Sequence, residues 1–264
     1  MKLKLVAVIV LPLLIVACFN KSSQKDKNPP LPVAKNTPAD FYRAALLNVE
    51  MGKTYLEQGQ INRAKQKFVH ALELKPKLPE AHTAMGYFYE TVGDIEEAEK
   101  HHTQAISYGD GKARYYNNYG TFLCRRARYK EADRAFNSAL KDKQYIKTAE
   151  VYENAGLCAL QAQETQKAYA YLQTALQHDP SRSSASLELA AMELSRNNTT
   201  AAAQYLNMYK GAASDPSPRG LWIGIQTYKK LRRNDELASA VLQLKNMFPE
   251  SMEYKAYKES NNNE

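Results

Sequence analysis

Small and apolar positions along this chain recur on two scales. Within a segment they follow helical spacing, and the whole segment returns about every 34 residues. Gly52, Gly86 and Gly120 are 34 apart, the step to Gly156 is 36, and Ala190 and Gly224 restore 34. Twelve positions after each of the first five markers stands a small residue: Ala64, Ala98, Ala132, Ala168 and Ala202. Bulky residues follow at Phe68, His102, Phe136, Leu172 and Leu206, then Ala71, Ala105, Ala139 and Ala175. Two amphipathic helices per segment, A and B, explain this order. Small residues let them cross closely, and the bulky ones fill the space beside the crossing. Neither helix buries its stripe alone, so stacking on neighbours must supply the core. The spacing predicts six units, at about 45–78, 79–112, 113–146, 149–182, 183–216 and 217–250. The sixth is weakest, because Glu236 stands where Ala is expected; Leu237 and Ala238 serve after a small shift. Residues 251–264 end in Asn261, Asn262, Asn263 and Glu264, and read as a fraying tail.

Gly and Tyr on one helix (Tyr55 and Tyr89 beside the glycines), then Ala, a bulky residue and Ala on the next, with Pro76 and Pro180 closing two units, resembles the tetratricopeptide repeat. The resemblance implies an all-α, right-handed solenoid of about six helix-turn-helix units over residues 37–250. Its concave wall is lined by the A helices, and such walls bind a peptide or another protein. The usual inward positions are Leu46, Val49, Lys53 and Leu56 in unit one, Thr83, Tyr87 and Glu90 in unit two, and Asn117 and Thr121 in unit three. They form the candidate partner-binding groove, several of them shared with packing inside the repeats. A clamp for a terminal carboxylate is not expected, because Val49, Lys53 and Ala84 occupy its positions.

The amino-terminal end follows another logic. Lys2 and Lys4 precede an apolar run from Leu5 to Ala17, the order of a secretory signal peptide at residues 1–17. The run holds 13 residues, against about 20 for a bilayer-spanning helix. Ile15-Val16-Ala17-Cys18 resembles the lipobox of bacterial lipoproteins, which implies cleavage before Cys18 and acylation of its thiol. Two or three acyl chains anchor stably where one is marginal. Phe19 stands where Asp commonly signals inner-membrane retention, so the expected site is the periplasmic face of the outer membrane of a Gram-negative cell. Residues 18–36 are rich in Lys, Ser, Asn and Pro and read as a flexible tether. Thr37-Pro38-Ala39-Asp40 then looks like a helix start.

Composition adds exclusions. The chain is 44% apolar and 24% charged, which is globular, with a net charge of +8 that removal of Lys2 and Lys4 lowers to +6. The charge is spread, apart from Arg125-Arg126-Ala127-Arg128 and Lys229-Lys230-Leu231-Arg232-Arg233, both near A-helix ends where cations suit the dipole. Nucleic acid is not an expected partner, nor is a small-molecule substrate. Five His residues lack zinc-site spacing; Glu97 and His101 are i,i+4 but read as a solvated helix face. Neither a phosphate-binding glycine loop nor a nucleophile elbow occurs, so no cofactor, metal or catalytic residue is expected. Cys124 and Cys158 lie on successive A helices of an exported chain. They are expected to form a structural disulfide closing a loop of 34 residues; two buried free thiols are the alternative.

Longer stretches narrow the resemblance. Asn117-Asn118-Tyr119-Gly120-Thr121-Phe122-Leu123-Cys124 and Glu153-Asn154-Ala155-Gly156-Leu157-Cys158-Ala159-Leu160 are similar to the third and fourth units of the PilF/PilW family of type IV pilus biogenesis lipoproteins. Leu221-Trp222-Ile223-Gly224-Ile225 and Leu242-Gln243-Leu244-Lys245-Asn246-Met247-Phe248-Pro249 resemble that family's sixth unit. The resemblance covers about residues 41–258 and implies an outer-membrane pilotin, which binds the pilus secretin, promotes its localisation and multimer assembly, and turns nothing over. The competing expectation is a general periplasmic scaffold for cell-wall or outer-membrane protein assembly.

Overall fold

A computed structural model describes residues 37–262; the signal peptide, Cys18 and tether readings lie outside these residues. Among the described residues there are thirteen helices and no strand. They pair in chain order as α1 (Pro38–Glu57) with α2 (Ile61–Leu74), α3 (Pro79–Val92) with α4 (Ile95–Tyr108), and α5 (Ala113–Arg125) with α6 (Tyr129–Ala139). Then come α7 (Thr148–Gln161) with α8 (Thr165–His178), α9 (Ser183–Ser195) with α10 (Thr199–Ala212), and α11 (Pro218–Leu231) with α12 (Asn234–Met247). A last helix, α13 (Met252–Asn262), follows. None of the helices is long and apolar enough to cross a membrane.

The glycine rule holds at the crossings. A Cβ on Gly52 would sit 2.3 Å from the Phe68 ring, and one on Gly120 2.7 Å from Phe136. Ala64, Phe68 and Ala71, and their counterparts Ala132, Phe136 and Ala139, are buried. Each odd-numbered helix from α1 to α11 contacts the next, while successive B helices touch only the A helices beside them. The inner wall is therefore the more closely spaced one, and the solenoid curves around it.

The turn after each A helix holds a residue with left-handed backbone: Gly59, Gly93, Ala127, Gln163, Asn197 and Arg232. The first five occupy the same repeat position, but Arg232 falls one residue late. That extra residue shifts α12 by one. Leu237, Ala240 and Leu244 therefore face the core, and Glu236 stays at the surface. The crossing also loosens: a Cβ on Gly224 would meet only Tyr228 of its own helix, at 3.4 Å.

The expected fraying tail is corrected. Met252–Asn262 form α13, which packs on α11 and α12 where a seventh A helix would lie. Tyr254 and Tyr257 rest against the cluster of Leu221, Ile225, Ala240 and Leu244. Their three-residue spacing places both rings on one helix face. Covering the last repeat is what a solenoid needs to end in water.

Candidate binding surface

The concave wall divides into a polar ladder and an apolar groove. The ladder ties α3 to α5, α5 to α7 and α7 to α9. Glu80 accepts a hydrogen bond from the Tyr115 hydroxyl at 3.0 Å. Glu90 receives Arg125 from α5 through both oxygens, at 2.7–2.9 Å, and His102 at 3.0 Å. Burial raises the Glu90 carboxyl, but the hydrogen bonds from His102 and Arg125 outweigh it and hold the group below the usual carboxylate range. Asn117 donates to Glu150 at 3.2 Å and accepts from Asn154 at 3.1 Å. Cys124 and Cys158 are disulfide-bonded between α5 and α7, with Cα atoms 5.7 Å apart. Glu153 takes Arg182 and the Ala185 amide at the start of α9.

This ladder corrects part of the expected groove. Val49 is 1% exposed and sits inside the first core cluster, so it packs within the repeats. Asn117 is 2% exposed and spent on α7. Glu90 is paired with Arg125 and hydrogen-bonded to His102. Leu46 and Leu56 are half-buried against the same core as Val49. Lys53 is exposed and paired with Glu50 at 2.7 Å. Thr83 and Thr121 return their hydroxyls to Pro79 and Asn117 of their own helices. Tyr87 stands edge-on to His102, with the Arg125 guanidinium 5.8 Å from its ring centre. The three amino-terminal units thus offer a wall of satisfied polar groups with little apolar relief.

The groove lies at the other end, beyond the pairing of Glu188 on α9 with Arg219 on α11. A half-open cleft of 890 Å³ runs between α9, α11 and α13. Ala191, Leu194, Trp222 and Ile225 supply its floor from the A helices, and Leu237 and Tyr257 its far side. Ala191, Leu194 and Ile225 occupy the same repeat positions as Lys53, Leu56 and Tyr87. Lys229 and Lys230 stand at one end, and Lys230 donates to Asn197 at 2.7 Å.

The solvated-face reading of His101 is corrected, for that ring is buried. His82 and His101 are buried between α3 and α4, Nδ1 to Nδ1 at 2.9 Å, with Tyr89 stacked on His101. His82 Nε2 lies 2.9 Å from the Pro76 carbonyl and must donate there, so its Nδ1 accepts the proton of His101 Nδ1. Neutral rings satisfy both contacts in this arrangement, and burial favours the neutral forms. Burial lowers both pKa values, and the neighbouring His82 helps bring His101 from 6.5 to about 4. The unfolded chain binds these protons first as pH falls through 6.5, so stability drops across the window from 6.5 to 4. Between pH 7.5 and pH 5 the urea midpoint should fall by the equivalent of about 1–2 kcal/mol. His101→Gln should flatten that slope; an equally steep fall in the variant would assign it to other groups. Among the described residues no three His, Cys, Asp or Glu side chains are placed to hold a metal.

Comparisons with known proteins agree with this architecture. One tetratricopeptide-repeat family model matches residues 52–93 and another matches residues 154–218. The chain is 31% identical over 209 residues to the type IV pilus assembly protein PilF of Pseudomonas aeruginosa, spanning 79% of this chain and 82% of that protein. It is 27% identical over 161 residues to an uncharacterised protein of Haemophilus influenzae, spanning 61% and 83%. The solved structure of Pseudomonas aeruginosa PilF matches with a TM-score of 0.74 at 30% identity, covering 83% of this chain and 99% of that one. PilW, described as a widely conserved type IV pilus biogenesis factor, matches with a TM-score of 0.69 at 25% identity, covering 81% and 97%.

Proposed function

This chain belongs to the PilF/PilW family of type IV pilus assembly proteins, and on that premise we propose that it is a lipid-anchored adaptor that binds the pilus secretin. It acts at the periplasmic face of the outer membrane and promotes secretin localisation and ring assembly. The observation that carries this reading is the extent of the likeness, which covers 79% of this chain in sequence and 83% in structure and goes beyond a shared repeat. A wall of interlocked A helices suits the role, because it holds a rigid curved surface and brings no acid–base or nucleophilic constellation with it. The adaptor works by occupancy, without turnover. Acylation of Cys18 would fix it to the membrane, and residues 18–36 would give it reach.

The test is made in the source cell. Membranes are fractionated with and without the protein, and heat-stable secretin multimers are followed. Deletion should remove the multimers from the outer membrane, and Cys18→Ser should shift the adaptor to the soluble periplasmic fraction. Normal multimers in the deletion strain would favour the general periplasmic scaffold instead.

A further inference from the structure

We propose that the edge of the domain formed by its first three B-to-A turns rests on a bilayer surface of anionic phospholipid, with Ile146 entering the headgroup layer. This rests on the adaptor reading only for bringing a bilayer near. The turns share one edge because the A helices lie side by side with their starts aligned. Tyr115, the third residue of α5, donates to Glu80, the second residue of α3, and Asn117 reaches Glu150 in the first turn of α7. Tyr42, near the start of α1, lines a shallow cleft with Lys75, Pro76 and Lys77 of the first of these turns.

Charge and apolar exposure coincide on this edge. The turns at 75–78, 109–112 and 140–147 carry Lys75, Lys77, Lys112, Lys141, Lys143 and Lys147 against Asp110 and Asp142. All of these lysines except Lys75 are exposed, and Lys147 lies 3.9 Å from Glu150. The next three turns of the edge reverse the balance, with Arg182 against Asp179, Asp215 and Glu250. The third turn is also the longest, with eight residues where the first two have four. Its Tyr145 packs on the cluster around Phe136, whereas Ile146 is 94% exposed, more than any other large apolar side chain among the described residues. An aliphatic side chain projected between lysines gains nothing in water. At a bilayer the side chain enters the acyl boundary while the lysines meet phosphates. Phe41 and Tyr42, exposed near the start of α1, add aromatic rings of the kind that settle at headgroup depth. Continuity favours lipid over an acidic protein. Residues 18–36 lead into α1 on this edge, and a coil of that length reaches about 25 Å. An acyl group on Cys18 therefore holds this edge within that distance of lipid.

The residues from Pro38 onward pack as one unit around cores of their own. The domain is therefore tested as residues 37–264, without an acyl chain and without the lysines of the tether. Its partition onto phosphatidylcholine vesicles, with and without about a third of phosphatidylglycerol, is measured by co-sedimentation. Binding is expected only with phosphatidylglycerol and should fade in high salt. Lys77→Glu with Lys141→Glu and Lys143→Glu should lower the partition at least about tenfold, and Ile146→Ser about threefold, with helicity unchanged. Arg126→Glu with Lys130→Glu and Arg232→Glu, on the opposite edge, makes the same change in net charge and should leave the partition within about twofold. Equal losses from the two triple variants, a partition indifferent to Ile146→Ser, or no partition at all would overturn the proposal. Binding of the edge to polyglutamate without binding to vesicles would assign it to an acidic protein and overturn it too. None of these outcomes bears on the adaptor reading, which the secretin multimers judge separately.

Discussion

Removing the Cys124–Cys158 bridge should lower folding stability by about 3.8 kcal/mol, the largest single loss expected from a pair of conservative changes. The bond closes a loop of 34 residues, and the chain-entropy relation converts that length into the figure. Its position strengthens the argument. The bridge joins α5 to α7, the seam between units three and four, in the middle of a stack where each unit leans only on its neighbours. Both residues are buried, so Cys124→Ala with Cys158→Ala exposes no new polar group and creates only small voids. For a domain of this size the loss corresponds to a fall in Tm of roughly 8–15 °C. Urea titration of the oxidised protein, the reduced protein and the double variant measures it. The last two should agree with each other and fall below the first. Equal midpoints for all three would mean that the seam is held by its side-chain contacts alone.

The repeat was legible because small residues are demanded wherever two helices cross. Gly52 faces Phe68 and Gly120 faces Phe136 at distances that leave no room for a Cβ, so the period is written directly into the chain. The one-residue shift of unit six was legible in part, through Leu237 beside Glu236, whereas Ala238, the other expected core residue, is exposed. Other features depend on partners one repeat away. Glu90 and Arg125 are 35 residues apart, and nothing local marks either as the other's partner. At the amino-terminal end the side chains of the expected groove positions are spent elsewhere, Glu90 and Asn117 on the ladder and Val49 on the core of the repeats. His82 and His101 were hidden for the same reason, since they meet across a helix pair 19 residues apart. The helix α13 lies outside the period altogether. Its signal was the spacing of Tyr254 and Tyr257, which the terminal asparagines obscured.

Glu153→Ala should cost roughly 2–4 kcal/mol, more than any other single change in the ladder. Its carboxylate is 6% exposed and performs two tasks. One oxygen takes the Arg182 guanidinium, with Nε at 2.9 Å; the other accepts the Ala185 amide at 3.1 Å. Arg182 precedes the first residue of α9 and makes no side-chain cap of its own. Glu153 therefore caps α9 from the preceding repeat, and its negative charge meets the positive end of that helix. Truncation strands a buried amide and a guanidinium that is only 28% exposed. Two further variants separate these contributions. Glu153→Gln keeps an acceptor for Ala185 and should recover about half of the loss. Arg182→Ala added to Glu153→Ala removes the stranded cation and should recover part of it, so the two changes must be strongly non-additive. A double variant whose loss equals the sum of the singles would show that the pair is not coupled, and that α9 is positioned by its apolar contacts with α7 and α8.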